Sequence, residues 1–291
     1  MRRTLEYWAA RIALASLSAC PAPLPLARFY VRLLDLAIPR LRLTAYRNLE
    51  IAFPELSRDA RFHLAESSFR SLARILVSLA RFPKLHQSNI HEYIRYDGFE
   101  HYRAAKARGK GVLFATAHLG NWELSAFAHA LMAEPMHVVV RPLDNPRVDA
   151  LVESLRARSG NTIWSKRDFV RGILRALARN EAVGILIDQN VGLHEGMFID
   201  FFRYQACVSP AFAKLANHSG AAIIPGFALW SPEEGRFILK FYPPLLPSGD
   251  IDADTRAVHA HLEQVIRAYP DQWLWLHRRW KTRPPGEPPL Y

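Results

Sequence analysis

"GVLFATA" (111–117), "MHVVVRP" (136–142) and "AVGILIDQ" (182–189) are short apolar runs, and each leads into a polar residue: His118, Arg141 and Asp188. A strand with one wet face alternates apolar and polar side chains, whereas a strand apolar at successive positions is covered on both faces. "AAIIPGFALW" (221–230) and "RFILKFYPP" (236–244) add two more strands. Helix signals lie between the runs. Asn145-Pro146 supplies an N-cap and first turn for a helix over 146–159, ended by Gly160. Ser165 with Asp168 resembles a capping box opening a helix to Asn180, and Ser209-Pro210 opens another that closes near Gly220. Strands alternating with helices specify an α/β domain with a mainly parallel central sheet covered by helices.

Residues 44–83 read as helical, with apolar positions every three or four residues and a start at Ser57. The longest uncharged run before them lies between Arg11 and Arg28 and contains three prolines. It falls short of the roughly 20 apolar residues a spanning helix needs. Residues 5–43 are instead amphipathic and basic. They predict helices lying on a membrane surface, with Trp8, Phe29 and Tyr30 near the interface; an ordinary helical cap on the core is the alternative. No repeat or linker interrupts the chain, so the expected organisation is an N-terminal helical extension (1–43) and one α/β domain (44–291).

Lysine and arginine outnumber acids by 38 to 27, a net charge of +11 that calls for an anionic partner. Cys20 and Cys207 are the only cysteines, without metal-ligand spacing, and they fit a reducing compartment better than a disulfide framework. No zinc motif, GxGxxG fingerprint or Walker A loop is present, so no metal or cofactor is expected.

In open α/β sheets ligands bind beyond the carboxyl ends of the strands, which gathers His118, Arg141 and Asp188 in one neighbourhood. His118 ends a strand, Gly120 and Asn121 permit a sharp turn, and Glu123 starts a helix. Such a turn is expected to bring the Glu123 carboxylate back onto one imidazole nitrogen, making the other a stronger base. No Ser or Cys sits in a nucleophile elbow, so the proton should come from a substrate hydroxyl, with no covalent enzyme intermediate. At the other end of the chain, "WLWLHRRWKTR" interleaves Trp273, Trp275 and Trp280 with Arg278, Arg279 and Lys281. Its period of two suggests a closing edge strand, with tryptophans inward and cations toward an anion. RNA-binding signatures are absent, so no nucleic acid partner is expected.

"HLGNWE" resembles the H-x4-D/E motif of glycerolipid acyltransferases. "QWLWLHRRWKTRPPGEP" (272–288), "RPLDNPRVDALVESLRARSG" (141–160), "DQNVGLHEGMFIDFF" (188–202) and "LANHSGAAIIPGF" (215–227) are similar, in the same order, to the bacterial lipid A biosynthesis acyltransferases. The resemblance implies a glycerolipid-acyltransferase-like fold at the cytoplasmic face of the inner membrane. It also implies transfer of a fatty acyl chain from acyl-carrier protein to a hydroxyl of a lipid A precursor. His118 would then deprotonate the acceptor, Glu123 orient and charge the His118 imidazole, Arg156 help stabilise the thioester oxyanion and Asp188 support the site. Gly120, Asn121, Arg141, Asn145, Arg278, Arg279 and Lys281 become candidates for substrate binding. Plainer readings stand beside these: Arg156 as a solvated helix arginine, Asp188 as a loop cap, Arg141 as a partner of Asp144. Two other functions remain open, transfer to a different lipid hydroxyl (a lysophospholipid or a glycolipid mannose) and a non-catalytic basic binding domain.

Overall fold

The structure, a computed structural model, describes residues 1–165 and 169–291. Five strands run parallel: β2 (Val112–Thr116), β3 (His137–Val140), β4 (Thr162–Ser165), β5 (Ala182–Leu186) and β8 (Ala222–Ser231). β9 (Arg236–Phe241) folds back antiparallel on β8, and β1 (Ile94–Asp97) lies parallel to β9. The sheet order is β1-β9-β8-β2-β5-β3-β4. β6 (Met197–Phe201) and β7 (Tyr204–Val208) form a separate antiparallel hairpin.

The apolar runs are buried on both faces because alternate residues serve different layers. Phe114 and Ile224 pack against α4 (Arg58–Arg81) and α6 (Trp122–Met132) through Ile75, Leu79, Leu124 and Phe127. Leu113, Ala115, Val183 and Ile223 point the other way. They meet α8 (Phe169–Ala178), α9 (Ala211–Ser219) and α10 (Ile251–Ala268) through Ile173, Leu177, Phe212 and Val258. Two further helices in the sheet layers are α5 (Phe99–Ala107), which follows β1, and α7 (Pro146–Arg156), which follows β3. Asn145 caps α7 by accepting from Arg147 N, and a left-handed Gly160 (φ 90°) follows it. Ser57 caps α4 by accepting from Ala60 N. The capping box expected of Ser165 and Asp168 lies outside the described residues.

α1 (Arg2–Ala19), α2 (Pro23–Ala37) and α3 (Pro39–Ala52) pack on α4 through Leu17, Ala27, Val31 and Leu41 against Phe69 and Ala73. The buried Asp35 carboxylate ties α2 to α3 by accepting from Arg42 at 2.5 Å. The boundary expected at residue 43 therefore falls inside a helix. Pro39 opens α3 and Pro54 follows it, and nothing between them breaks the backbone ladder. On the far side, Leu5, Trp8 and Ile12 of α1 and Phe29, Leu33 and Leu36 of α2 are exposed at three- and four-residue spacing. Tyr30 is instead half-buried, its hydroxyl 2.8 Å from Ser16 Oγ. Among the described residues no helix is long and apolar enough to cross a membrane.

The closing segment is not the edge strand its alternation suggests. Trp275 N donates to Trp273 O, a tight local turn, and Asn48 Nδ2 donates to the carbonyls of both Trp275 and His277. The segment thus winds into the molecule, and Trp273, Trp275 and Trp280 are all buried.

Candidate active site

His118 leaves the carboxyl end of β2 after Ala117, and its backbone is clamped from two sides. Its carbonyl accepts from Leu274 N at 2.8 Å, and its N–H donates to Asp188 Oδ2 at 3.0 Å. His118 Nδ1 stands 2.9 Å from Asp188 Oδ1. A third donor, the Trp273 indole N–H, reaches Asp188 Oδ2 at 2.9 Å. The Asp188 side chain is 3% exposed, so an unpaired charge there would be costly; three donors offset that cost. Burial pushes the Asp188 pKa up, but the His118 charge and the hydrogen bonds outweigh it and hold it well below the ordinary carboxylate range. The same balance acts on His118: burial disfavours its charged form, and the Asp188 charge and hydrogen bond more than reverse this, leaving its pKa raised. With Nδ1–H directed at Asp188, the other ring nitrogen is the proton acceptor.

The expected partner of His118 was Glu123, and the structure corrects this. Glu123 is in the first turn of α6, 9% exposed, and its two oxygens take Arg156 Nε at 2.8 Å and Nη2 at 2.6 Å. A helix start immediately after the turn aims Glu123 across α6 to the end of α7 rather than back to the imidazole. Asp188, at the end of the neighbouring strand β5, is the carboxylate in register with His118. Glu123 still favours the charged imidazole through space. Arg156 is therefore no solvated helix arginine. Burial lowers its pKa, but the Glu123 hydrogen bonds and charge raise it further, so it stays cationic. Its Nη1 makes no hydrogen bond among the described residues.

Several candidates for substrate contact have structural duties instead. Gly120 is buried at φ 64°, and a side chain there would run into the Ala228 carbonyl. Asn121 is 0% exposed: Oδ1 caps α6 by accepting from Leu124 N, and Nδ2 donates to Ser78. Asn145 Nδ2 fastens α1 through Arg3 O and Glu6. Arg279 is 0% exposed, donating to Cys207 O at 3.1 Å beneath the Phe201 ring, and burial brings its pKa down to about 10. It cannot meet a lipid phosphate from there. Arg278 and Lys281 are exposed, as is Arg141, whose weak pair with Asp144 spans 4.0 Å.

Beside His118 a narrow apolar slot opens between α6 and the sheet. Its walls include Thr116, Trp122, Glu123, Val140, Arg156 and Leu186 near the strand ends, and Phe114, His129, Met136 and Gly184 deeper in. The centre of a water-sized sphere finds only about 60 Å³ within it, so it suits a thin, flexible, apolar ligand. Trp122 forms part of its wall and lies edge-on to the His118 ring at 4.8 Å. Trp273 and Trp122 were missed as site residues by sequence reasoning. Trp273 lies in a buried aromatic cluster, where a tryptophan is read as core, and only its indole N–H on Asp188 marks its second role. No group of three or more His, Cys, Asp or Glu side chains that could hold a metal occurs among the described residues.

Residues 1–282 match the family described as bacterial lipid A biosynthesis acyltransferase. The chain is 32% identical over 249 residues to the lipid A biosynthesis lauroyltransferase of Escherichia coli (strain K12), covering 84% of this chain and 81% of that protein. It is 29% identical over 257 residues to the lipid A biosynthesis palmitoleoyltransferase of the same organism, covering 87% and 83%. With the lipid A biosynthesis myristoyltransferase of that strain it shares 23% identity over 248 residues, covering 84% and 77%. The chain belongs to the bacterial lipid A biosynthesis acyltransferase family, and it is an acyltransferase.

Proposed function

We propose that this enzyme moves a fatty acyl chain from an acyl-carrier-protein thioester to a hydroxyl of a lipid A precursor, with His118 as general base. The observation that carries the reading is the buried Asp188–His118 pair beside an apolar slot. The acyl chain lies in the slot and leaves its thioester carbonyl at the level of Trp122, Glu123 and Arg156. The free imidazole nitrogen of His118 takes the proton of the acceptor hydroxyl as its oxygen attacks the carbonyl carbon. Negative charge grows on the carbonyl oxygen, where Arg156, held by Glu123, supplies a fixed cation. Collapse re-forms the carbonyl and breaks the carbon–sulfur bond. The carrier thiolate leaves with the proton from His118, and the ester is free.

The acceptor is a phosphorylated glycolipid, and the net charge of +11 with exposed Arg141, Arg278 and Lys281 suits an anionic substrate surface. The stripes Leu5-Trp8-Ile12 and Phe29-Leu33-Leu36 support peripheral attachment, with apolar side chains dipping into the cytoplasmic face of the inner membrane. The test is acyl transfer from acyl-carrier protein to a tetra-acylated lipid A precursor in detergent micelles, with products read by mass. One added acyl mass with the wild type, absent with His118→Ala at an unchanged melting temperature, is the expected result. Acylation of a lysophospholipid alone would reassign the acceptor. Unchanged transfer by His118→Ala would remove the general base from the mechanism.

A further inference from the structure

We propose that the thioether of Met136, seated in the gap left by Gly184, is the stop that sets the longest acyl chain the slot accepts. This rests on reading the slot as the acyl site.

The strand register builds the slot wall in rows. Thr116 pairs with Leu186, and two residues deeper Phe114 pairs with Gly184, which pairs in turn with Val138 and through it with Ile163. Alternate residues share a face and stand about 7 Å apart along a strand, so each row is one step down from the mouth. In the second row the middle position has no side chain. A hole is therefore left between Phe114 and Val138, on the face that α6 covers. Met136 precedes Val138 by two residues and faces the same way from the next row. Its terminal methyl fills the hole: a Cβ built on Gly184 would stand 2.7 Å from Met136 Cε.

The rest of the inner wall is fixed. His129 lies seven residues along α6 from Trp122, about 10 Å deeper at the helical rise. Its Nδ1 is 2.8 Å from the Tyr96 hydroxyl, and its ring meets Tyr102 at 4.8 Å, Phe114 at 5.2 Å and Phe241 at 5.8 Å, all edge to face. Phe241 in turn stacks on Phe114 at 5.0 Å. Rings locked in this way move little. Met136 is unbranched and flexible, so it is the wall residue whose length translates directly into depth. Burying one more methylene is worth about fourfold in binding, so a stop displaced by two carbons separates chain lengths by more than tenfold.

The experiment offers wild type, Met136→Ala, Met136→Val and Gly184→Ala an equimolar series of saturated acyl-carrier-protein thioesters in two-carbon steps. The acceptor is the tetra-acylated precursor in micelles, and product masses give the chain distribution. Met136→Ala should move the preferred chain at least one step longer, by tenfold or more in product ratio, with Met136→Val moving it the same way by less. Gly184→Ala should push the thioether toward the mouth and move the preference shorter. Melting temperatures identify a variant that fails to fold, and the valine variant keeps a strand-compatible side chain for that case. Distributions within twofold of wild type in all folded variants would overturn the assignment of Met136. A wild type that acylates no lipid hydroxyl would refute the underlying reading instead.

Discussion

Asp188 and Glu123 are two buried carboxylates that flank one imidazole, and they are partnered in opposite ways. Asp188 collects two donors from His118 and a third from Trp273, a residue near the far end of the chain. Glu123 closes a two-point clasp with a single cation, Arg156. The first arrangement can change protonation during a reaction, since an imidazole both takes up and gives back a proton. The second cannot, because a guanidinium stays charged. One side of the site is thus built to move a proton and the other to hold a positive charge still. Proximity in sequence suggested that Glu123 and His118 worked as a pair; strand register gave that task to Asp188.

The largest effect that would break this comparison is expected at Asp188. Asp188→Ala leaves two N–H donors of His118 and one of Trp273 without their acceptor, and kcat should fall by about 10²–10⁴-fold, the range of general-base catalysis. Asp188→Asn keeps the shape but removes the charge that raises the His118 pKa, so burial then dominates. In the wild type, activity should be lost as pH falls through a midpoint above 6.5, because His118 must be neutral to accept a proton. In Asp188→Asn the residual activity should show its midpoint below 6.5. A pH profile of kcat/KM reads both, and an unmoved midpoint would detach Asp188 from the titration.

Glu123 should behave as half of a pair. Glu123→Gln leaves Arg156 buried and unmatched, a change that costs about 3–5 kcal/mol of stability by the usual measure of broken buried pairs. The double variant Glu123→Gln with Arg156→Met should recover part of that stability in a denaturant titration but none of the activity. An equal stability loss in single and double variants would show that the clasp is not a coupled unit.

Trp273→Phe should have a smaller effect. It removes one of three donors to Asp188 while keeping most of the ring packing, a loss of about 1–3 kcal/mol for a hydrogen bond to a charged group. A fall in kcat of about tenfold or somewhat more, with KM unchanged, is the expected kinetic signature. The smallest change is expected away from the site: Trp8→Ser should weaken sedimentation with anionic vesicles several-fold and leave kcat in micelles unaltered.

The central strands β2, β3, β5 and β8 were legible because burial on both faces demands apolar side chains at successive positions. β1 and β4 were not: "IRYD" and "TIWS" are four-residue edge strands, half-buried and without an apolar run. The β6–β7 hairpin was hidden for a different reason. Its two-residue turn, Phe202-Arg203, takes φ of 52° and 66°, a conformation usually signalled by Asn-Gly or Gly-Gly. Phe202 accepts that geometry because its ring is buried against Phe53, Trp273 and Trp275, and because its N–H donates to Glu263. In the site, His118, Glu123, Arg156 and Asp188 were all singled out from sequence, but the way they pair was not.

The sequence by itself determined that the chain forms a helix-covered, mainly parallel sheet with polar residues clustered at its strand ends. It did so because the periodicity of burial and the signals that start and stop helices are local. Which carboxylate serves the histidine, which arginine stays dry and which tryptophan N–H is in use were decided only by the tertiary structure. These depend on the alignment of β5 beside β2 and on a tail that returns from residue 273 to meet residue 188. Hydrogen bonds that close over such distances are fixed by packing, and no pattern of neighbouring residues encodes them.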